Sequence, residues 1–133
     1  MVDFIVLYVV TLVVFFAVDI VWLGVIAKKL YRQEIGHLLK DDVNWVAALV
    51  FYLLFIAGLV IFVLQPAIDQ SSLLHAIIYG GLFGLMTYAT YDLTNLATLK
   101  NWPLKITLID LAWGTSLGLL TSTIAYLFMQ LLS

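Results

Sequence analysis

Four apolar runs of bilayer length leave this chain little choice of fold: about Phe4–Ala27, Asn44–Leu64, Leu73–Tyr91 and Ile106–Met129. At about 1.5 Å rise per residue, about 20 apolar residues cross the roughly 30 Å hydrocarbon layer as a helix. A barrel would instead need many alternating segments of about ten residues. Apolar types make up 65% of the 133 residues and charged types only 11%, where soluble domains carry about 25% charged residues. Mean hydropathy is +1.14. The expected fold is all-α: a polytopic membrane protein of four transmembrane helices, forming one domain over residues 1–133.

The first run does not read as a signal peptide. Its only early charge is Asp3, it is too long for an h-region, and no small-x-small cleavage site follows it. Pro66 is expected to close the second helix, and Ser71 or Ser72 to cap the third. Asp42 or Asn44 suits the N-cap of the second helix, and Trp102–Pro103 the opening turn of the fourth. Cysteine is absent, which removes disulfides, thiolate nucleophiles and cysteine–metal sites. A net charge of -2 and the lack of a basic face with interleaved aromatics argue against a nucleic-acid partner.

All six lysines and arginines fall in two connections. Lys28, Lys29, Arg32 and Lys40 lie between helices one and two, and Lys100 and Lys105 between three and four. By the positive-inside bias, loops 28–43 and 92–105 face the cytoplasm and both termini lie outside. Within the first loop Tyr31, Ile35, Leu38 and Leu39 recur at helical spacing, opposite Lys29, Arg32, Gln33, His37 and Lys40. That pattern predicts a short amphipathic helix lying in the membrane interface, with cations over anionic headgroups. A plain topology-fixing loop is the alternative, and Gly36 lowers helix propensity there by about 1 kcal/mol.

Asp19, Asp92 and Asp110 lie inside or at the rim of the apolar runs, against roughly 2.5–3.5 kcal/mol for an aspartate at mid-membrane. The predicted orientation puts all three in the cytoplasmic half. Asp19 is expected deepest, Asp110 shallower, and Asp92 near the headgroups as a rim residue. Gly80, Gly84, Tyr88 and Asp92 step by four along helix three, with Asn95 one turn on. Asp110, Gly114 and Gly118 step by four along helix four. Both sets carry a G-x-x-x-G spacing that lets backbones approach closely. Trp22 and Trp113 each follow an aspartate by three residues, within reach to donate an indole N–H or to wall a cavity. The bland reading takes these groups as interhelical hydrogen bonds, with Asp110 paired to Lys105 and Asp92 reaching Lys100. Asp19 fits that reading worst, having no cation near it on its own helix.

No H-E-x-x-H, P-loop, G-x-S-x-G or dinucleotide fingerprint is present, and no cofactor is expected. The two histidines fall on opposite membrane sides, so no metal site is expected either. Proton exchange coupled to small-molecule movement fits intramembrane carboxylates best. The alternatives are a membrane-embedded enzyme acting on a lipid-like substrate, with Asp19 or Asp110 as acid, and an accessory protein whose acids hold the bundle together. The substrate is unknown. Membrane lipids are the expected surroundings, and four helices leave so little room for a central path that a transporter would be a homodimer.

The strings Tyr91-Asp92-Leu93-Thr94-Asn95-Leu96-Ala97-Thr98, Trp102-Pro103, Asp110-Leu111-Ala112-Trp113-Gly114 and Asp19-x-x-Trp22-Leu23-Gly24 carry a resemblance over nearly the full length. The chain resembles domain-of-unknown-function family 2177, small bacterial inner-membrane proteins. The resemblance implies four transmembrane helices in a bacterial inner membrane and no established activity.

Overall fold

The structure, a computed structural model, describes residues 3–133. It is helical throughout, with no strand among the described residues. Four helices are long and apolar enough to cross a membrane: α1 (Phe4–Leu38), α2 (Trp45–Asp69), α3 (Leu73–Thr98) and α4 (Leu104–Leu132). The short connections make each helix antiparallel to the next. The α1–α2 and α3–α4 connections therefore share one end of the bundle, and with them every lysine and arginine. At that end Ile35, Trp102 and Ile106 form a small apolar cluster. Glu34 and Lys105 pair above it at 3.3 Å, an exposed bridge worth at most about 1 kcal/mol.

The helix starts follow local chemistry. Asp3 accepts from the Ile5 N–H at 2.8 Å, Asn44 from Ala47 at 3.1 Å and Ser72 from His75 at 3.0 Å. Each satisfies a donor that the first helical turn leaves free, for about 1 kcal/mol. Pro103 stands at the N-cap of α4.

Helix ends run further than expected. The second helix does not close at Pro66. A π-helical stretch, Val60–Leu64, precedes it, and the helix runs on through Pro66 to Asp69; the wider turn accommodates the ring and the missing N–H of a proline inside a helix. The third helix continues past Tyr91 to Thr98. The first does not end at Ala27: a π-helical turn, Trp22–Ala27, leads directly into α-helical Lys28–Ile35 and a 3-10 turn, Gly36–Leu38. The amphipathic segment is thus a continuation of α1. Tyr31 is half-buried and Ile35 buried, whereas Leu38 and Leu39 are exposed.

The π turn keeps α1 facing inward. Leu7, Thr11, Phe15 and Asp19 form its buried stripe, and a step of four overshoots the 3.6-residue turn, so such a stripe drifts around the helix. The wider turn absorbs the excess. Beyond it Ala27 and Ile35 are again buried.

α3 and α4 pack backbone to backbone. Gly80 and Gly84 meet Gly118 and Gly114, and a Cβ on Gly84 would overlap the Gly114 carbonyl. A Cβ on Gly80 would come within 2.7 Å of the Gly118 carbonyl oxygen. α1 and α2 close over this pair with Leu7, Phe15, Phe55, Ile56 and Leu59, and the Tyr8 hydroxyl donates to the Leu53 carbonyl at 2.9 Å. The first ten residues of α2 are largely exposed, with only Ala48 and Tyr52 half-buried.

Gly84→Ala should therefore lower the melting temperature in detergent, costing about 2–3 kcal/mol because a backbone carbonyl cannot rotate aside. Gly24→Ala is the control, since nothing lies within 4 Å of its Cβ position. Equal melting of the two variants would refute the contact.

Candidate functional site

Each membrane aspartate is placed by a helix face. Asp19 closes the buried stripe of α1 and is 6% exposed. Asp110 opens the small-residue stripe of α4 and is 5% exposed. Asp92 lies two turns beyond Gly84 on α3 and is 0% exposed. Its carboxyl is enclosed by the bundle and does not reach out to Lys100. α3 continues past it to Thr98.

The three carboxyl groups come together at the end of the bundle that carries the cations. Asp19 and Asp110 line one cavity of about 260 Å³. Asp92 sits behind Asp110, and their carboxyls adjoin. As carboxylates neither can donate, and both Asp92 oxygens are then without a partner. A proton on either supplies a hydrogen bond across the pair. Tyr88 stands among the three acids, near enough to feel each charge.

The walls are aromatic. Trp22 and Trp113 stack with ring centroids 4.4 Å apart and planes 7° from parallel. The Trp22 indole adjoins the Tyr31 hydroxyl, which donates to Asp110 Oδ1. Neither indole donates to an aspartate; the stack takes their faces instead. Trp102 meets Tyr91 edge-on at 5.8 Å and donates its indole N–H to Thr107 Oγ1 at 3.0 Å. Phe15, one turn from Asp19 on α1, packs against Tyr52 and Phe55 with centroid separations of 5.5 and 5.4 Å.

No lysine or arginine lines the cavity, and Lys105 pairs with Glu34 and not with Asp110. Asn95 lies outside it, beside Tyr91. Gly80, Gly84, Gly114 and Gly118 act from below by setting the α3–α4 distance. His75 stacks on Tyr79 at 4.3 Å at the far end of the bundle. No group of side chains among the described residues could hold a metal ion.

The sequence reading missed Tyr31 and Tyr52 as cavity residues. Tyr31 lies past the expected end of the first helix, so only its place four residues after Ala27 hints at a buried face. Tyr52 looks like an ordinary packing residue, although a phenol in an apolar run needs a partner for its hydroxyl.

A second opening adjoins this cavity. Between α2 and α3 a groove of about 700 Å³ is lined by Ala48, Phe51, Thr87 and Thr90, and it shares Tyr52, Tyr88 and Tyr91 with the acid cavity.

Asp92 and Asp110 face each other inside the bundle. Asp92→Asn, whose amide can donate to Asp110, should therefore raise the melting temperature in detergent, by the equivalent of about 1 kcal/mol. A melting temperature equal to or below that of the wild type would refute the pairing.

Comparison with known proteins gives one match. No curated protein and no solved structure is found to match the chain. A family model does, over residues 4–127, and its description is "predicted membrane protein". With four membrane-length helices under nearly the whole of that match, the chain belongs to the DUF2177 family of membrane proteins.

Proposed function

We propose that the protein is a small proton-coupled transporter that uses Asp19, Asp92 and Asp110. One observation carries the reading: three carboxyl side chains converge in and behind one cavity that no cation lines. Asp110 accepts from Tyr31, whereas neither oxygen of Asp92 has a donor while both acids are carboxylates. Buried acids without counter-ions suit proton exchange at modest energetic cost. Tyr52 lines the cavity and packs against Phe15, and Phe15 packs against Phe55. Alternating access requires a second arrangement in which these rings part. The π-helical turns of α1 and α2, one beside the cavity and one in the far half, are natural hinges.

In the proposed orientation both termini lie outside, and loops 28–43 and 92–105 face the cytoplasm of a bacterium whose inner membrane holds the protein. The grouping of every lysine and arginine at the cavity end supports this. Residues Lys28–Ile35 then lie at the cytoplasmic interface, with Lys28, Lys29 and Arg32 exposed to headgroups. A homodimer supplies the outer wall that four helices lack. The groove between α2 and α3 favours a second reading, an enzyme that draws a lipid-like substrate to Asp110.

Proteoliposomes with an internal pH dye and an imposed pH gradient test transport. Addition of a panel of amines, amino acids and sugars should yield at least one solute that discharges the gradient. Asp110→Asn should slow this more than tenfold while folding normally. No solute-dependent proton movement in the wild type would reject transport.

Thiol labelling from either side of the membrane tests the orientation, because the chain has no native cysteine. Lys40→Cys and Lys100→Cys should label from the cytoplasm and Asp69→Cys from outside. Cytoplasmic labelling at position 69 would reverse it.

A further inference from the structure

We propose that the solute is a lipophilic organic cation that reaches the acid cavity sideways, through the groove between α2 and α3. The proposal rests on the reading of the cavity as a solute site and specifies the chemistry that it takes.

Charge sets the sign. Asp19 and Asp110 line the cavity, Asp92 backs Asp110, and no lysine or arginine lines it. The other titratable groups facing the pair are phenols: Tyr31 of α1, Tyr52 of α2, and Tyr88 and Tyr91 of α3. Lys105, the cation at the rim, is engaged by Glu34. An entering cation is thus the missing counter-ion.

The walls decide which kind of cation. Seven of the twelve residues lining the cavity are aromatic. Ring faces attract weakly hydrated organic cations, most strongly away from water. A hard metal ion asks for six or more oxygens, and two lining carboxylates with scattered phenols fall short. An ammonium or phosphonium centre against the aromatic walls, with Asp110 beside it, meets both demands.

The groove supplies the apolar part of the ligand. It is lined mainly by apolar and aromatic side chains, it opens where the first turns of α2 are largely exposed, and Tyr52, Tyr88 and Tyr91 belong to both spaces. A hydrophobic substituent can therefore lie between α2 and α3 while the charge sits among the acids. Protons and the cation compete: an incoming cation displaces the proton held by Asp92 and Asp110, and reprotonation releases it.

Tetraphenylphosphonium, permanently charged and lipophilic, is the probe, with triphenylphosphine oxide as its neutral counterpart. Full-length protein in nanodiscs of zwitterionic lipid is titrated by calorimetry and tryptophan fluorescence. Saturable binding should quench emission from Trp22 and Trp113 and tighten at least tenfold as pH rises, and the neutral compound should bind at least tenfold more weakly. Asp110→Asn, which keeps the acceptor for Tyr31, should weaken binding at least tenfold. Ala48→Trp, which fills the groove away from the acids, should slow association at least fivefold. Absent saturable binding, equal binding of the neutral compound or unchanged affinity in Asp110→Asn would overturn the cation assignment. An unchanged association rate in Ala48→Trp would overturn the sideways route. Solute-driven proton movement by another member of the transport panel would then stand by itself, so a wrong ligand is distinguishable from a wrong function.

Discussion

The contact of α3 with α4 through bare backbone is the constraint on which the rest of the molecule depends. In lipid, apolar side chains gain little by leaving one apolar medium for another, so close van der Waals packing must hold helices together. Gly80 and Gly84 against Gly114 and Gly118 supply it. The same closeness sets the register beyond the glycines. With the axes so near, Tyr88 packs on Gly114 and the Asp92 carboxyl faces that of Asp110. A larger residue at the crossing would part the helices and the acids together. In this chain the packing motif and the chemical motif are one geometric device.

α1 completes the site from the opposite side, and it needs an irregular helix to do so. An unbroken α-helix carrying Asp19 inward would have turned Tyr31 away from Asp110. The π turn between them lets one helix contribute a carboxylate, an indole and a phenol to the same cavity. The tryptophan stack closes the wall between α1 and α4 with two flat surfaces.

Much of this was legible in the sequence, and the exceptions have physical causes. Four helices followed from run length, and Asn44 and Ser72 were readable as caps because their oxygens precede apolar runs. The glycine stripes were readable because a step of four holds one face. A common end for the acids followed from counting spans. Helix ends were less legible, since lysines and arginines continue a helix as readily as alanine does, and so α1 runs on through Lys28–Ile35. Pro66 misled because a helix interrupted by a π-helical stretch can run on through a proline, and Val60–Leu64 is such a stretch. Asp92 reads as a residue reaching for Lys100 when judged along its own helix. Burial is set by neighbours on other helices, and its enclosure is a tertiary event.

The π turn in α1 gives the helix two sections that need not turn together. Such a turn amounts to one extra residue, and moving it along the helix by one position exchanges a hydrogen bond or two. Only the residue passed over rotates, by about 100°. Phe15 and Leu7 stay docked in the core, and Tyr31 stays on Asp110, while the turn travels under Trp22. The irregular turn is in that sense a ruck in a carpet pinned at both edges, able to re-aim the cavity wall without lifting either end.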